Sequence, residues 1–276
     1  MMAVLMAVNM LLATVQAETF TMDYLRFGNG AKPLVIIPGL SVQSVMGSAQ
    51  AITESYKLLT EDFTLYVFDR RKEVPQSYSI DDMARDTAEA IQLLGLKDVY
   101  LFGVSQGGMI AMKIAINHPE LVERMILGST TADVTESRFS IIDEWISLAK
   151  DGNAEGLYLS FGEAVYPPSV FEQSKELLRE AAKTVTDDEL KRFIIMAEGM
   201  RGFNVIDELG KISCPVLVLG SNDDRVLGGE ASRQIMKCLR DKTGCELFMY
   251  DGYGHAAYDV APDYRERMLK FLAPSK

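Results

Sequence analysis

Histidine is scarce in this 276-residue chain, which holds only His118 and His255. With three cysteines besides, and neither a Cys-x-x-Cys nor a His-x-x-x-His spacing, no metal site is expected. Cys214, Cys238 and Cys245 are an odd, scattered set, which fits reduced thiols in the cytoplasm better than a disulfide framework. No Gly-x-Gly-x-x-Gly opens a helix, so Gly28-Asn29-Gly30 reads as a turn and no dinucleotide cofactor is implied. Positive charge is short: 28 Lys and Arg stand against 39 Asp and Glu. A net charge of −11 disfavours nucleic acid and anionic membrane surfaces as partners. No stretch is long and apolar enough for a stable membrane span. The apolar start, Met1 to Ala13, has no Lys or Arg before Arg26 and so lacks the positive beginning of a secretory signal. Val15-Gln16-Ala17 nevertheless resembles a small-x-small cleavage site. Residues 1–17 are read as an apolar N-terminal extension, with export as the alternative to a cytoplasmic protein.

Against these absences, one run stands out. Val99 to Val104 is an apolar strand that enters Gly103-Val104-Ser105-Gln106-Gly107, and a helix leaves toward His118. A serine on so tight a turn has its hydroxyl clear of the backbone, and a Cβ at either glycine would strike a neighbouring element. The following helix aims its free N–H groups and positive dipole end at the turn, where a developing oxyanion would sit. An acidic pair, Asp223-Asp224, follows the apolar run Pro215 to Gly220, and His255 follows Glu246 to Tyr250 within Gly252-Tyr253-Gly254-His255. Nucleophile, acid and base thus each stand just past a strand, in the order Ser…Asp…His. His118, before Pro119, reads instead as a helix end, where a cation suits the dipole.

Strands are expected at 20–27, 33–38, 63–68, 98–104, 123–129, 215–220 and 246–250, and helices at 43–59, 80–94, 106–117, 229–241 and 262–272. Strands separated by helices imply an α/β fold with a mostly parallel central sheet and helices on both faces. From about Thr131 to Asp207 the chain reads as helices and loops, with helical periodicity at 140–149, 171–184 and 187–200 and a break at Pro167-Pro168.

These motifs resemble the α/β-hydrolase superfamily over nearly the whole chain beyond residue 20. Pro33 to Leu40 is similar to the family's strand and His-Gly-x oxyanion turn, with Pro38 in the histidine's place. Leu65 to Arg71 is similar to the strand ending in Asp-x-Arg-Gly, here without the glycine. The resemblance implies a hydrolase core over 18–131 and 207–276 and a helical cap inserted at 132–206. It implies Ser105 as nucleophile, His255 as base, and backbone N–H groups of Leu40 and Gln106 as the oxyanion hole. The family's Gly-x-x-Asp, with an apolar residue three positions on, matches Gly220 to Asp223 with Val226 and favours Asp223 as the acid. Asp224 is then the exposed neighbour beside Arg225, and Asp69 and Asp251, off the acid's chain position, are structural. Trp145, Tyr158, Phe161, Tyr166, Met196 and Met200 are candidates for the pocket wall. The expectation is a cofactor-free serine hydrolase acting on the carboxylic ester of a small or medium apolar acyl compound. Thioesterase, lactonase, amide or C–C bond cleavage, or a ligand-binding role on the same scaffold, are the alternatives. A homo-oligomer is compatible with the sequence.

Overall fold

A computed structural model describes residues 9–273. Eight strands form one sheet: β1 (Leu11–Gln16), β2 (Thr21–Gly28), β3 (Lys32–Ile37), β4 (Phe63–Arg71), β5 (Val99–Val104), β6 (Val122–Gly128), β7 (Val216–Ser221) and β8 (Glu246–Tyr250). Their order across the sheet is β1-β2-β4-β3-β5-β6-β7-β8. The β1–β2 and β2–β4 pairs are antiparallel, and every pair from β4–β3 to β7–β8 is parallel. Helices are α1 (Ala49–Ser55), α2 (Ile80–Leu93), α3 (Gln106–Asn117), α4 (Glu136–Lys150), α5 (Ala154–Val165), α6 (Pro168–Ala182), α7 (Asp187–Glu198), α8 (Glu230–Leu239), α9 (Ala257–Val260) and α10 (Tyr264–Leu272). None is long and apolar enough to cross a membrane.

Strands β5 and β7 are almost wholly apolar because both of their faces are covered. Every residue of β5 and β7 is buried. Successive side chains go to opposite cores, as the two-residue strand period requires. Val35, Leu101 and Val218 meet Ile91 of α2, Met109 of α3 and Ile235 of α8. Leu34, Phe102 and Leu219 meet Ala49 of α1 and Tyr264, Met268 and Phe271 of α10. Parallel strands all present their C-terminal ends to one edge, which is where an open α/β sheet binds its ligands.

Two expectations change. Residues 11–16 are not an appendage but the edge strand β1, in register from Leu11 opposite Arg26 to Gln16 opposite Thr21. Val15 and Ala17, the small residues of the apparent cleavage pattern, are buried. The chain turns back through Ala17, whose N–H donates to the Phe20 carbonyl at 3.0 Å. The first part of the apolar run, residues 1–8, lies outside the described residues. The region expected at 43–59 as one helix is broken into α1 flanked by 3-10 turns at Val45–Ser48 and Lys57–Leu59.

Between β6 and β7 the chain forms α4 to α7. Its two ends are pinned together by hydrogen bonds from Val134 N–H to Phe203 O (2.7 Å) and from Val205 N–H to Ala132 O (2.8 Å). Pro168 occupies the first turn of α6, where a missing N–H costs nothing. Helix α5 is the element that periodicity misses, since Gly156 and Gly162 dilute it. Gly162 is a packing position: a Cβ there would sit 2.5 Å from Leu178 Cδ1 of α6.

Candidate active site

The strand-to-helix turn is built by contact distances. A Cβ on Gly103 would lie 2.4 Å from Gly107 O, and one on Gly107 would lie 2.0 Å from Ile37 O. With glycine at both places, α3 packs directly on β5 and β3, and the turn closes over Ser105. Ser105 has φ 51° and ψ −121°, a strained backbone for a residue with a side chain. It is held by its N–H on Gly128 O (2.9 Å) and by Thr130 Oγ1 donating to its carbonyl (2.6 Å). Gly39 approaches from β3, so that a Cβ there would be 3.2 Å from Ser105 Cβ.

His255 is buried, and its Nδ1 lies 2.9 Å from Oδ2 of Asp224. The carboxylate that reaches the histidine is therefore Asp224, one residue beyond Asp223, the position read from sequence. Strand β7 continues through Gly220 to Ser221, and a turn closed by Asp224 N–H on Ser221 O follows. That extra strand residue puts Asp223 on the outside and Asp224, expected to be exposed, inside with 9% exposure. Oδ1 of Asp224 accepts from Val226 N–H (2.8 Å) and Leu227 N–H (3.0 Å), leaving Oδ2 for the imidazole. Asp223 has other work. Its carboxylate accepts from Ser221 Oγ (2.7 Å), Gly252 N–H (3.1 Å) and Gly254 N–H (3.0 Å), which fastens the histidine loop to the end of β7. The guanidinium of Arg225 turns away from this pair and donates to the Glu163 and Tyr166 carbonyls at the end of α5.

Burial alone would raise the pKa of Asp224, but the charge and hydrogen bond of His255 and the two N–H donors outweigh it and hold the carboxyl below its ordinary range. Asp223 is likewise depressed: burial raises it, and the Ser221 hydroxyl with the glycine N–H groups overcomes that. Groups with a depressed folded pKa stabilise the fold above their unfolded pKa and lose that contribution as pH falls through the folded value. The melting temperature should therefore drop as pH falls from about 4, the unfolded carboxylate value, and Asp223→Asn should flatten that slope. A melting series between neutral and acid pH checks this; an unchanged slope in the variant would remove Asp223 from the account.

Ser105 and His255 open onto one recess with Gly39, Leu40, Ile142, Trp145, Phe161, Val165, Met200, Val226 and Tyr258. Of the six aromatic and methionine candidates, Trp145, Phe161 and Met200 are brought to it, the first two with ring centroids 4.5 Å apart. The other three are not. The Tyr158 hydroxyl donates to Gln43 Oε1 (2.9 Å) and the Tyr166 hydroxyl to Asp259 Oδ2 (3.0 Å). Met196 has its side chain in the core and its carbonyl bonded to Gln106 Nε2 (2.8 Å). Ile142 was missed although it stands three residues before Trp145, one turn along the same helix face. Tyr258, whose ring meets His255 edge-on at 6.4 Å, carries no sequence signal beyond its closeness to the histidine. Among the described residues, none of the side chains on this recess is Asp, Glu, Lys or Arg.

The remaining candidates have structural partners. Asp69 accepts from Arg70 N–H (2.7 Å) and Arg192 (3.3 Å), and Asp251 from Asn222 (2.6 Å). His118 ends α3 and faces Glu120 at 3.5 Å.

A family model described as the alpha/beta hydrolase fold matches residues 32–179. The proposed carbamate hydrolase RutD of Agrobacterium fabrum is 26% identical over 248 residues, which span 86% of this chain and 94% of that protein. A 2-hydroxy-6-oxononadienedioate/2-hydroxy-6-oxononatrienedioate hydrolase from a Pseudomonas species is also 26% identical, over 72% of this chain and 73% of its own. Among solved structures, MGS-M2, an alpha/beta hydrolase enzyme from a Medee basin deep-sea metagenome library, superimposes with a TM-score of 0.85 at 22% identity. That match covers 96% of this chain and 98% of the other. The chain belongs to the α/β-hydrolase fold family.

Proposed function

We propose that the protein is a serine hydrolase that cleaves the ester of a small or medium, uncharged acyl compound. The observation that carries this reading is the buried 2.9 Å contact between Asp224 and His255 Nδ1, on the recess that also holds the strained Ser105. Asp224 keeps the proton on Nδ1, so Nε2 is the base. His255 takes the Ser105 proton as the oxygen attacks the carbonyl carbon. The backbone N–H groups of Gln106, at the start of α3, and of Leu40 hold the oxyanion. Collapse expels the alcohol, protonated by His255, and water repeats the sequence on the acyl-enzyme to release the acid.

The uncharged wall bears on the substrate. A dioate of the kind named for the Pseudomonas relative brings two carboxylates, and among the described residues the recess has no Lys or Arg for either. A neutral ester, thioester, lactone or carbamate ester has no such demand. The recess between Ser105 and the helices α4 and α5 is narrow, which favours a small or medium acyl group over a long one.

Phe161→Ala, which removes a half-buried ring from that wall, should raise kcat/KM for six- to eight-carbon acyl esters about tenfold relative to acetate. An unchanged chain-length profile would detach the α4–α7 helices from substrate choice. The function itself is tested with a panel of p-nitrophenyl esters, thioesters, lactones and carbamates. Turnover of the neutral esters, with a burst of nitrophenol equal to the enzyme present, is expected. Saturable binding of the esters without release of product would favour the ligand-binding alternative.

A further inference from the structure

Arg70 is a buried cation that the proposed chemistry does not use. It occupies the variable second position of Asp69-Arg70-Arg71, at the end of β4. Strand alternation sends its neighbour Arg71 elsewhere, to Asp86 (3.3 Å) and the Thr19 carbonyl (2.7 Å). Arg70 is only 4% exposed. Its Nη2 donates to Pro38 O (2.7 Å) and to Gln106 Oε1 (3.2 Å). Gln106 is thereby oriented with its Nε2 toward Met196 O of α7, at 2.8 Å. One guanidinium nitrogen thus joins the turn before Leu40 to the first residue of α3, and through it to the cap. Asp69 supplies the opposite charge and also anchors Arg192 of α7 (3.3 Å). Burial pulls the Arg70 pKa down to about 10, against the attraction of Asp69 and Tyr78 and with a smaller push from Arg192, so the group is charged at neutral pH.

A buried guanidinium is an expensive way to gain stability, and here its Nε has no partner among the described residues. Its two acceptors, however, belong to the two segments whose backbone N–H groups must converge on one oxygen. The histidine that the family's oxyanion turn usually carries is replaced by Pro38, which has no side-chain donor and no N–H to anchor the turn.

We propose that Arg70 is the positioning residue of the oxyanion site, holding the Pro38 carbonyl and the Gln106 side chain so that the N–H groups of Leu40 and Gln106 stay paired while α7 is docked. This rests on the serine-hydrolase reading. Arg70 touches no reacting atom. Its removal should weaken what forms only in the transition state and leave substrate binding nearly intact.

The test uses Arg70→Met and Arg70→Lys in the full chain, with a neutral p-nitrophenyl ester and an alkyl trifluoromethyl ketone. Ser105 adds through Oγ to the ketone carbonyl carbon, its proton passes to His255 Nε2, and the carbonyl oxygen becomes the bound oxyanion. For Arg70→Met, kcat should fall about 100-fold with KM within about threefold, and ketone affinity should fall in parallel with kcat/KM. Arg70→Lys, whose ammonium can reach one acceptor but not hold the fork, should recover roughly tenfold of the loss. A folded Arg70→Met with kcat within about threefold of wild type overturns the proposal, as does a loss confined to KM. If Arg70→Met does not fold, Arg70→Lys decides: a roughly tenfold lower kcat at constant KM supports the proposal, and wild-type kinetics overturn it. A wild-type protein that neither hydrolyses the ester nor forms the ketone adduct would instead sink the serine-hydrolase reading and this proposal with it.

Discussion

Asp224→Asn is expected to lower kcat by about three to four powers of ten, while Asp223→Asn costs less than about tenfold. The asymmetry follows from what each carboxylate touches. Among the described residues the hydrogen-bond partners of the Asp224 carboxylate are His255 and two backbone N–H groups, and asparagine can keep the latter through its carbonyl oxygen. Its amide then points at Nδ1 as a donor, which forces the proton onto Nε2 and removes the base that Ser105 needs. Asp223 ties Gly252 and Gly254 to β7, and an asparagine oxygen still accepts from at least one of them. Asp223→Asn should therefore lower the melting temperature more than the rate. Steady-state kinetics beside thermal melts separate the two, and the reverse order of rate effects would return the acid to Asp223.

Ser105→Ala should reduce kcat by about six powers of ten, to the level that binding and the oxyanion donors provide alone. Its melting temperature should stay close to wild type, since alanine has the same Cβ and the positions that shape the turn are Gly103 and Gly107. Residual turnover must be measured on protein made in a host without contaminating esterase. Activity above about a thousandth of wild type would place the nucleophile elsewhere.

That Ser105 and His255 would stand together at one recess was legible in the sequence because steric demand leaves a mark. A turn that packs α3 against β3 and β5 tolerates only glycine at 103 and 107, and the positive φ of Gly252 and Gly254 shapes the histidine loop. The carboxylate that pairs with His255 was legible only to within one residue. Gly220 marks the neighbourhood, but whether β7 ends there or at Ser221 is decided by its pairing with Tyr250 in β8, a contact between residues 29 apart. Pocket residues were half legible for a similar reason. Helical periodicity places Trp145 and Met196 alike on apolar faces, and only the packing of α4 against α5 and α7 decides which face meets Ser105. The strand at 11–16 was hidden because its alternation is short and merges with the apolar run before it. Arg70 left no mark at all, since its meaning depends on acceptors 32 and 36 residues away.

The most direct measurement is mass-spectrometric mapping of the protein after reaction with an alkyl fluorophosphonate at neutral pH. One adduct per chain is predicted, on the peptide containing Ser105, forming at a rate that Asp224→Asn lowers at least a hundredfold and Asp223→Asn does not. An adduct on any other residue, or none in protein that is folded and pure, would contradict a nucleophilic Ser105 driven by His255 and Asp224.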